Sequence, residues 1–430
     1  MLCEGGADEY TDESQECYLG TIDGDPYFDL DTARLRYLGG STNHWGGWCR
    51  TFDASDFNRS DISEELVWPI RKPAIDPYFE EACGIVDVPP EFSDGLPNKF
   101  GVKQIGFNFS PPTLFGEKYY DEIKDSANIK LYLNANLVDV ALSNNRMTSA
   151  EFLSFDTGSL TVRAKTFVFA MGGIENSRML IWLRGLHGDA LHDPRLPVGE
   201  YWMEHPTFEL GEALVETEIA DKRYFGLSEE VQRDQGIMNC GLIIDGVSKK
   251  RTSQLVYDLL CLAPGIGQKL MDLADRRLIC GGKIRSAWEQ MPTKSNRVTL
   301  SGSETDRFGI PRPVLHWKKS DFDRRTVVKS LQVFNEWLLD SDLGRIRIYD
   351  WVLSNGDYPL DDVLAGHHHI GGTRMGENPE ISVVDADARV FGTENLYMAG
   401  SSIFTTSGHT NPTLPIVQFS LRLADHLLGK

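Results

Sequence analysis

Two short polar clusters near the end of the chain decide its fold: HHHIGGTRMG at residues 367–376 and SGHTNPTLPI at residues 407–416. The second cluster leads into QFSLRLADHLLGK, where apolar residues recur at helical spacing at Ile416, Phe419, Leu423 and Leu427. Residues three and four apart share one face of a helix, so this pattern defines an apolar side. The sequence therefore predicts a buried helix that closes the chain.

The start of this helix is marked by Asn411, Thr413 and two prolines, Pro412 and Pro415. Proline is tolerated in a first turn because the leading amides have no partner within the helix. The position of Pro415 favours Thr413 over Asn411 as the capping residue. With either cap, free amides and partial positive charge lie beside Asn411.

Between the clusters, two apolar pieces at residues 381–384 and 395–398 are typical of strands. The second piece ends at Ala399, Gly400 and two serines, and small residues after a strand allow a backbone to approach a ligand closely. This whole C-terminal region resembles the glucose-methanol-choline (GMC) oxidoreductases, flavoenzymes that oxidise alcohol groups. The motifs are most similar to the branch that oxidises pyranoses and glycosides.

In that family the pattern H-x-x-G-T/G-x-R-M-G supplies a catalytic histidine, which aligns with His368. A second histidine or asparagine precedes the last helix, and it aligns with Asn411. The resemblance implies FAD as the cofactor. It also implies cofactor contacts in the C-terminal region from Ala399, Gly400, Asn411, Pro412 and Thr413.

Length and composition set limits on the class of protein. The chain has 430 residues, of which 41% are hydrophobic and 10% aromatic, enough to bury a large core in two domains. Its formal net charge of -20 argues against nucleic acid, an anionic membrane surface or a strongly anionic substrate as the main partner. A neutral polyol or sugar is compatible with this charge, and an oligomer is left open.

The cysteines are odd in number and scattered, without a C-x-x-C pair: Cys3, Cys17, Cys49, Cys83, Cys240, Cys261 and Cys280. Neither a disulfide framework nor a zinc site is indicated, so a reducing, cytoplasmic location is expected. No apolar run is long enough for a membrane span, and no leader of the signal-peptide type is visible.

The opening residues MLCEGG resemble the end of the second strand of a dinucleotide-binding fold, with Glu4 as the acidic residue that binds the adenosine ribose. That fold needs a preceding strand, a G-x-G-x-x-G turn and a helix, and the chain contains no such fingerprint. We expect either that the N-terminal βαβ unit is missing from a fragment, or that pyrophosphate is bound without the usual loop.

The segment RYLGGSTNHWGGW, at residues 36–48, has two interpretations. A Gly-rich turn with aromatic packing would suit any fold. In the GMC family a similar segment wraps the flavin, which implies cofactor contacts from Gly39, Gly40, Ser41, Asn43, His44 and Trp45. In the pyranose-oxidising branch a histidine at the position of His44 can be bonded covalently to the flavin, so His44 is a candidate for that bond.

Strand patterns follow from residue 129, and two of them carry family-like strings. NANL, at residues 134–137, resembles a segment whose backbone contacts adenine, which implies a contact at Leu137. The run at residues 166–170 ends in GGIEN, similar to A-G-G-I-E-N-x-R in the family. This second string implies cofactor contacts at Ala170 and Gly172.

Beyond residue 206 the composition changes to alternating strands, and WEQMPTKSNRVTL resembles the antiparallel sheet of the family's substrate domain. An amphipathic helix is predicted at residues 321–341, with its apolar side formed by Val327, Leu331, Phe334 and Leu338. Structural and functional roles are equally open for His205, Glu289 and Gln290.

The predicted fold is α/β (α+β), with a Rossmann-like FAD-binding domain interleaved with a substrate domain built on an antiparallel sheet with helices. The FAD-binding domain takes residues 1–56, 128–205 and 362–430. The substrate-binding domain takes residues 57–127 and 206–361.

Alcohol oxidation needs a base, a hydride acceptor and a donor that stabilises the alkoxide. Histidine suits the first role because its pKa lies near neutrality, and we assign it to His368, with Asn411 as the donor. In an extended segment only His367 and His369 could share a metal ion, and no metal site is predicted. The sequence favours a position in the pocket and a position facing solvent equally for His409.

The predicted function is FAD-dependent oxidation of a CH–OH group of a sugar, glycoside or related alcohol. Electrons would pass to an external acceptor or to O2. The alternative is a flavin-free or inactive relative that acts as a binding or scaffold subunit. The sequence leaves open the substrate, the oxidised carbon and the acceptor.

Overall fold

The computed structural model describes residues 1–215, 223–246, 256, 259–260, 264–273, 281–354, 356–360 and 365–430. Both predicted domains include residues outside this part, namely 362–364 for the FAD-binding domain and several segments of 206–361 for the substrate domain. The predictions for Cys261 and Cys280 also lie outside it. The five described cysteines are free thiols: Cys3, Cys17, Cys49, Cys83 and Cys240.

The described strands range from two to nine residues in length. They are β1 (Leu2–Cys3), β2 (Thr21–Gly24), β3 (Trp48–Cys49), β4 (Val102–Gln104), β5 (Asn108–Phe109), β6 (Leu131–Tyr132), β7 (Asn136–Ser143), β8 (Arg146–Leu153), β9 (Ser159–Arg163), β10 (Phe167–Phe169), β11 (Thr207–Val215), β12 (Arg223–Leu227), β13 (Cys240–Gly246), β14 (Gly282–Trp288), β15 (Arg297–Thr305), β16 (Pro311–Trp317), β17 (Gly344–Ile348) and β18 (Leu396–Met398).

Three helices in the described part are longer than nine residues. The α-helices are α1 (Asp12–Gln15), α2 (Phe79–Ile85), α3 (Phe115–Lys118), α4 (Tyr120–Asp125), α5 (Gly172–His187), α6 (Glu229–Gln235), α7 (Pro264–Asp272), α8 (Asp321–Asp340), α9 (Asp350–Leu353) and α10 (Thr413–Leu428). No helix within the described residues is both long and apolar enough to cross a membrane.

The sheets combine parallel and antiparallel pairing, as in the mixed α/β fold that the sequence predicts. Parallel pairs join β1 to β6 and β10 to β18, while β15, β16 and β2 form a mixed sheet and β7, β8 and β9 an antiparallel one. The largest sheet is antiparallel throughout, in the order β17-β11-β14-β13-β12-β4. All six strands of this sheet lie in the part assigned from sequence to the substrate domain, whereas the antiparallel pair of β7 and β8 lies in the part assigned to FAD binding.

Helix α8 covers this six-stranded sheet. The four residues predicted for its apolar side are all buried, and they pack with Phe208 and Trp288 of the sheet in one core cluster. Ser320 caps the helix, since its hydroxyl accepts from the amide of Asp323, whose carboxylate accepts in return from the Ser320 amide. The prediction of an amphipathic helix here is confirmed.

Two predictions of local structure are wrong. Residues 381–384 form only isolated bridges, at Val384, because this buried segment pairs with loops and not with a strand. Helix α10 begins at Thr413 with Pro412 as its cap, so neither Thr413 nor Asn411 caps it through a side chain. The side chain of Asn411 is not available for capping because it contacts His368.

Buried charges fix the beginning of α5. Glu175 accepts from Arg34 at 2.9 Å and from Arg178 at 3.0 Å, and Arg178 also donates to Asp306 at 2.7 Å. Each buried charge thus has a partner, which burial requires. The first turn of α5 is thereby held against the N-terminal residues and β16.

Candidate active site

A cavity of about 1540 Å³ extends from the N-terminal strand to the start of α10. Its wall includes Glu4 beside β1, the Gly-rich segment around His44, the first turn of α5, and the clusters around His368 and Asn411. These segments are far apart in the chain. The cavity exceeds the roughly 300–1,000 Å³ typical of pockets for small ligands, so it has room for a large cofactor and a substrate.

The three consecutive histidines point in three directions. His367 has φ +58°, so the segment is not extended as the metal argument assumed. Its ring stacks on Phe28 with centroids 3.9 Å apart, whereas His369 Nε2 contacts the Tyr27 hydroxyl at 3.1 Å. In the described part of the chain, no group of three or more His, Cys, Asp or Glu side chains could hold a metal ion.

His368 lies between His205 and Asn411. Its Nδ1 is 2.7 Å from Nδ1 of His205, and its Nε2 is 3.1 Å from Nδ2 of Asn411. An amide nitrogen can donate but not accept, so Nε2 of His368 is the acceptor in this contact. Burial is the main reason that the pKa of His368 lies well below its usual value, with the neighbouring histidines adding to the effect. His368 is therefore neutral near pH 7 and able to take a proton on Nε2.

Glu204 holds the two histidines together through their backbones. Its carboxylate accepts from the amide of His205 at 2.8 Å and from the amide of His368 at 2.8 and 2.9 Å. Tyr27 donates its hydroxyl to the same carboxylate. Burial raises the pKa of Glu204 to about 8, although these donors act in the opposite direction.

His409 belongs to the cavity and not to solvent, which resolves the alternative left open by the sequence. The side chain is among the cavity-lining residues and only 4% of the residue is exposed. Neither ring nitrogen has a hydrogen-bond partner among the described residues. Burial lowers the pKa of His409 to about 3, so the ring is neutral and offers one donor and one acceptor to a ligand.

Most of the residues predicted to contact the cofactor line this cavity. They are Glu4, Gly39, Gly40, Ser41, His44, Trp45, Leu137, Ala170, Gly172, Gly400, Asn411, Pro412 and Thr413. Two others lie behind the wall and support it: Asn43 donates to the carbonyl of Leu38, and the carbonyl of Ala399 accepts from Asn176.

Several features of the wall suit an anionic nucleotide cofactor. Both α5 and α10 begin at the cavity, so the free amides and positive ends of two helices lie at its surface. Gly172 (φ +89°) and Gly400 (φ +98°) line it, and a Cβ on either would project into empty space. The backbone is thus open to close approach by a ligand at both turns.

Sequence reasoning missed Glu204 and Tyr27 and left His205 undecided. The string EHPT, at residues 204–207, places Glu204 next to His205. Both residues are buried, and buried polar side chains need hydrogen-bond partners. The partner in both cases is His368. Its ring contacts the ring of His205 from 163 residues away, and its backbone amide donates to Glu204 from 164 residues away. Only the folded chain shows that they meet.

Comparison with known proteins gives consistent results. Residues 292–420 match the C-terminal family model described as GMC oxidoreductase. The chain is 29% identical over 295 residues to the fructose dehydrogenase large subunit of Gluconobacter japonicus, covering 67% of this chain and 51% of that protein. It therefore spans about half the length of this relative. It is also 22% identical over 464 residues to 2-methyl-1,2-propanediol dehydrogenase of Mycolicibacterium austroafricanum, covering 91% and 81% of the two chains.

A solved structure shows the same fold. Pyridoxine 4-oxidase from Mesorbium loti superposes with a TM-score of 0.59 at 14% identity, covering 100% of this chain and 94% of the other.

Proposed function

We propose that this chain, a relative of the GMC oxidoreductases, oxidises a CH–OH group of a sugar, glycoside or related alcohol with FAD as its cofactor. The observation that carries this proposal is the meeting of His368 Nε2 and Asn411 Nδ2, 3.1 Å apart, at the wall of the large cavity. A base and a hydrogen-bond donor thus converge on one point, as removal of a hydroxyl proton requires.

The cavity fits a flavin nucleotide. Glycines at positions 172 and 400 give close backbone approach, and the N-termini of α5 and α10 bring positive potential to the wall. Glu4, whose Oε1 accepts from the Gly6 amide at 2.8 Å, lies after β1, where an acidic residue would bind a ribose. When bound, FAD supplies the acceptor for the substrate hydride.

The first chemical role of the chain is to take the hydroxyl proton. In this step the substrate O–H bond breaks and an N–H bond forms at Nε2 of His368. General-base catalysis of this kind contributes about 100- to 10,000-fold to a rate. The depressed pKa of His368 keeps Nε2 free of a proton before the substrate arrives.

The second role is to stabilise the negative charge that develops on the substrate oxygen. Asn411 can turn its Nδ2–H from His368 to that oxygen, because both groups lie at the same point of the wall. The first turn of α10 follows directly, and its unpaired amides add positive potential.

Several observations favour a neutral, hydroxyl-rich substrate. The net charge of -20 disfavours a strongly anionic one. Next to His409 lies an aromatic cluster in which Trp48, Phe107 and Tyr224 have ring centroids 5.0 to 5.5 Å apart. Trp48 and His409 line the cavity, where the Trp48 ring can pack against the apolar face of a sugar and His409 can offer hydrogen bonds to its hydroxyls. The two relatives described above are named for fructose and for a propanediol.

The two-domain division stays part of this proposal. Residues from all three segments assigned to FAD binding, 1–56, 128–205 and 362–430, line the cavity, which supports it. Residues 206–361 add Thr207, Ile243 and Ala287 to the wall from the six-stranded sheet. The electron acceptor, an external one or O2, is likewise proposed.

Anaerobic mixing of the FAD-loaded protein with a substrate panel tests the function. The panel contains a ketose, an aldose, a glycoside and a diol, with a sugar acid as the anionic control. We expect at least one neutral compound to bleach the visible absorbance of oxidised flavin, and the acid to leave it unchanged. Flavin that stays oxidised with every neutral compound, or protein that retains no FAD, would support a binding or scaffold subunit instead.

A further inference from the structure

A continuous line of hydrogen bonds passes through both rings of the histidine pair. His205 Nε2 is 2.7 Å from the carbonyl oxygen of Gly408, the two Nδ1 atoms of His205 and His368 are 2.7 Å apart, and His368 Nε2 is 3.1 Å from Asn411 Nδ2. His205 is 1% exposed, so its ring is almost completely enclosed by protein. Every proton along this line is therefore determined by the groups in it.

The protons can be assigned from the Gly408 end. A carbonyl oxygen only accepts, so the proton in the first bond is on Nε2 of His205. Burial lowers the pKa of His205 to about 4, so the ring is neutral near pH 7 and its Nδ1 carries no proton. Nδ1 of His205 must then accept, which places the proton of the second bond on Nδ1 of His368. A neutral His368 has no proton left for Nε2.

The assignment from the opposite end agrees. Asn411 presents its Nδ2–H to Nε2 of His368, and this contact also requires a bare Nε2. The two ends of the line are separate groups, a backbone carbonyl and a side-chain amide. They specify the same tautomer of His368.

We propose that His205 is a positioning residue that holds His368 in the tautomer with its basic nitrogen, Nε2, toward the cavity. The carbonyl of Gly408 fixes the tautomer of His205 because it accepts the proton on His205 Nε2. This inference rests on the proposed function, in which His368 is the base. It gives a role to a residue that the sequence left undecided and that does not itself touch the reacting atoms.

The surroundings of His205 are rigid enough for this role. Glu204 accepts from the backbone amide of His205, and the amide of Gly408 donates to Glu289 at 3.0 Å. Glu289 also accepts from the amide of Asn239 at 3.1 Å, so the loop carrying Gly408 is tied to the six-stranded sheet. Both ends of the His205 ring are therefore anchored to different parts of the fold.

Removal of the acceptor at His205 would change the preferred tautomer. A buried Nδ1–H left without a partner is unfavourable, which favours moving the proton of His368 to Nε2. A proton on Nε2 blocks the position that must receive the substrate proton. In the intact pair, by contrast, proton transfer leaves an imidazolium whose Nδ1–H bond to His205 persists.

Nitrogen NMR of the histidine rings tests the assignment without any turnover. In protein labelled with 15N-histidine, the pattern of two-bond couplings shows which nitrogen carries the proton, and the loss of signals in His368→Gln identifies His368. We expect Nδ1–H for His368 and Nε2–H for His205. A proton on Nε2 of His368 in the unsubstituted protein would overturn the proposal.

Two substitutions at His205 form a matched pair. His205→Asn keeps an acceptor oxygen at the position of Nδ1, whereas His205→Leu keeps bulk without an acceptor. We expect the Nδ1–H tautomer of His368 to persist in His205→Asn and to be lost in His205→Leu. If both variants retain it, His205 is only a packing residue. Should the Leu variant fail to fold, the spectrum of the unsubstituted protein still decides.

Single-turnover reduction of the bound flavin then separates this inference from the proposed function. We expect His205→Leu to slow reduction by about tenfold or more at nearly unchanged half-saturating substrate concentration, with most of the rate restored in His205→Asn. A Leu variant with the switched tautomer and the full rate would show that His368 is not the base, although its proton assignment stands. Equal loss in both variants with an unchanged tautomer would contradict the positioning role.

Discussion

At the residue scale, the amide of Asn411 faces His368, the proposed base, at the point where negative charge is expected to develop. Asn411→Ala removes a donor, and loss of one such donor slows a reaction by about 100- to 1,000-fold. Asn411→Asp also places a negative charge next to the developing alkoxide. We expect the Asp variant to reduce flavin more slowly than the Ala variant in single-turnover measurements.

The control for charge alone is Asn128→Asp, which adds the same carboxylate at an exposed loop position. It should leave the reduction rate unchanged. If Asn411→Asp matches or exceeds the rate of Asn411→Ala, Asn411 does not donate to the substrate oxygen.

Residues within a short motif could be predicted from the sequence, whereas contacts between distant residues could not. The catalytic roles of His368 and Asn411 were predicted from short motifs whose spacing can be read directly, and the structure brings the two side chains into contact. His205 is 163 residues before His368, and its contact depends on the paths of two separate segments. The hydrogen bonds from the His205 and His368 amides to Glu204 depend on the paths of the same two segments. Local spacing carries no information about such contacts, which is why their roles were missed or left open.

At the element scale, the first turn of α5 fits closely against the histidine segment. A Cβ added at Gly173 would overlap the backbone carbonyl of His369, which cannot move without shifting His368. We expect Gly173→Ala to lower the free energy of unfolding by about 1–3 kcal/mol in urea titrations. The matched change Gly84→Ala within α2, where a Cβ meets no atom within 4 Å, should raise it by up to about 1 kcal/mol. Equal effects of the two changes would contradict this close packing.

Helix α8 provides a second prediction for an element. Phe334 is fully buried, and its ring lies 5.2 Å from that of Phe225 on the six-stranded sheet. Phe334→Ala should lower the free energy of unfolding by about 3–5 kcal/mol because it leaves a cavity. Gln332→Ala, on the exposed side of the same helix, should change it by less than about 0.5 kcal/mol. Chemical denaturation that finds similar losses would show that α8 does not cover the sheet.

A helix or strand could be predicted better from the sequence when its pattern of apolar residues was longer and more regular. The side chains of α8 repeat at helical spacing over 20 residues, and its apolar side was identified correctly. The apolar run at residues 381–384 indicates only that the segment is buried. In the structure it forms isolated bridges and no strand. The short helix Phe79–Ile85 is preceded by 3-10 turns that contain Pro73 and Pro77, and no periodic apolar pattern of comparable length marks it.

At the scale of the whole molecule, buried neutral histidines should make the fold sensitive to acid. Burial lowers the pKa of His409 to about 3, whereas the unfolded chain binds this proton near pH 6.5. As the pH falls below 6.5, the unfolded state binds more protons than the native state, so the free energy of unfolding decreases until the folded pKa is reached. For His409 the loss at pH 5 is about 2 kcal/mol.

Urea titrations at pH 7 and pH 5 measure this effect in the parent protein and in His409→Leu. We expect the variant to lose less stability between the two pH values than the parent. His426→Asn, at the exposed end of α10, serves as the control. Parallel pH dependences in the parent and His409→Leu would show that His409 is not buried in the neutral form.

The overall class of the molecule was predictable, whereas its detailed sheet order was not. The mixed α/β fold was predicted and is confirmed, and the predicted resemblance to the GMC oxidoreductases agrees with the family model that matches residues 292–420. The parallel pair of β10 and β18 joins residues more than 220 positions apart. Strand order of this kind depends on which distant segments meet, and residue patterns specify only that each segment is a strand.

Stopped-flow reduction of bound flavin in His368→Ala and His369→Ala decides whether His368 is the base. Loss of the base should slow reduction by about 100-fold or more while the half-saturating substrate concentration changes little. His369→Ala should retain more of the rate, because that ring contacts Tyr27 and not Asn411. Reduction at the parental rate in His368→Ala, with the step lost in His369→Ala instead, would show that His368 is not the base.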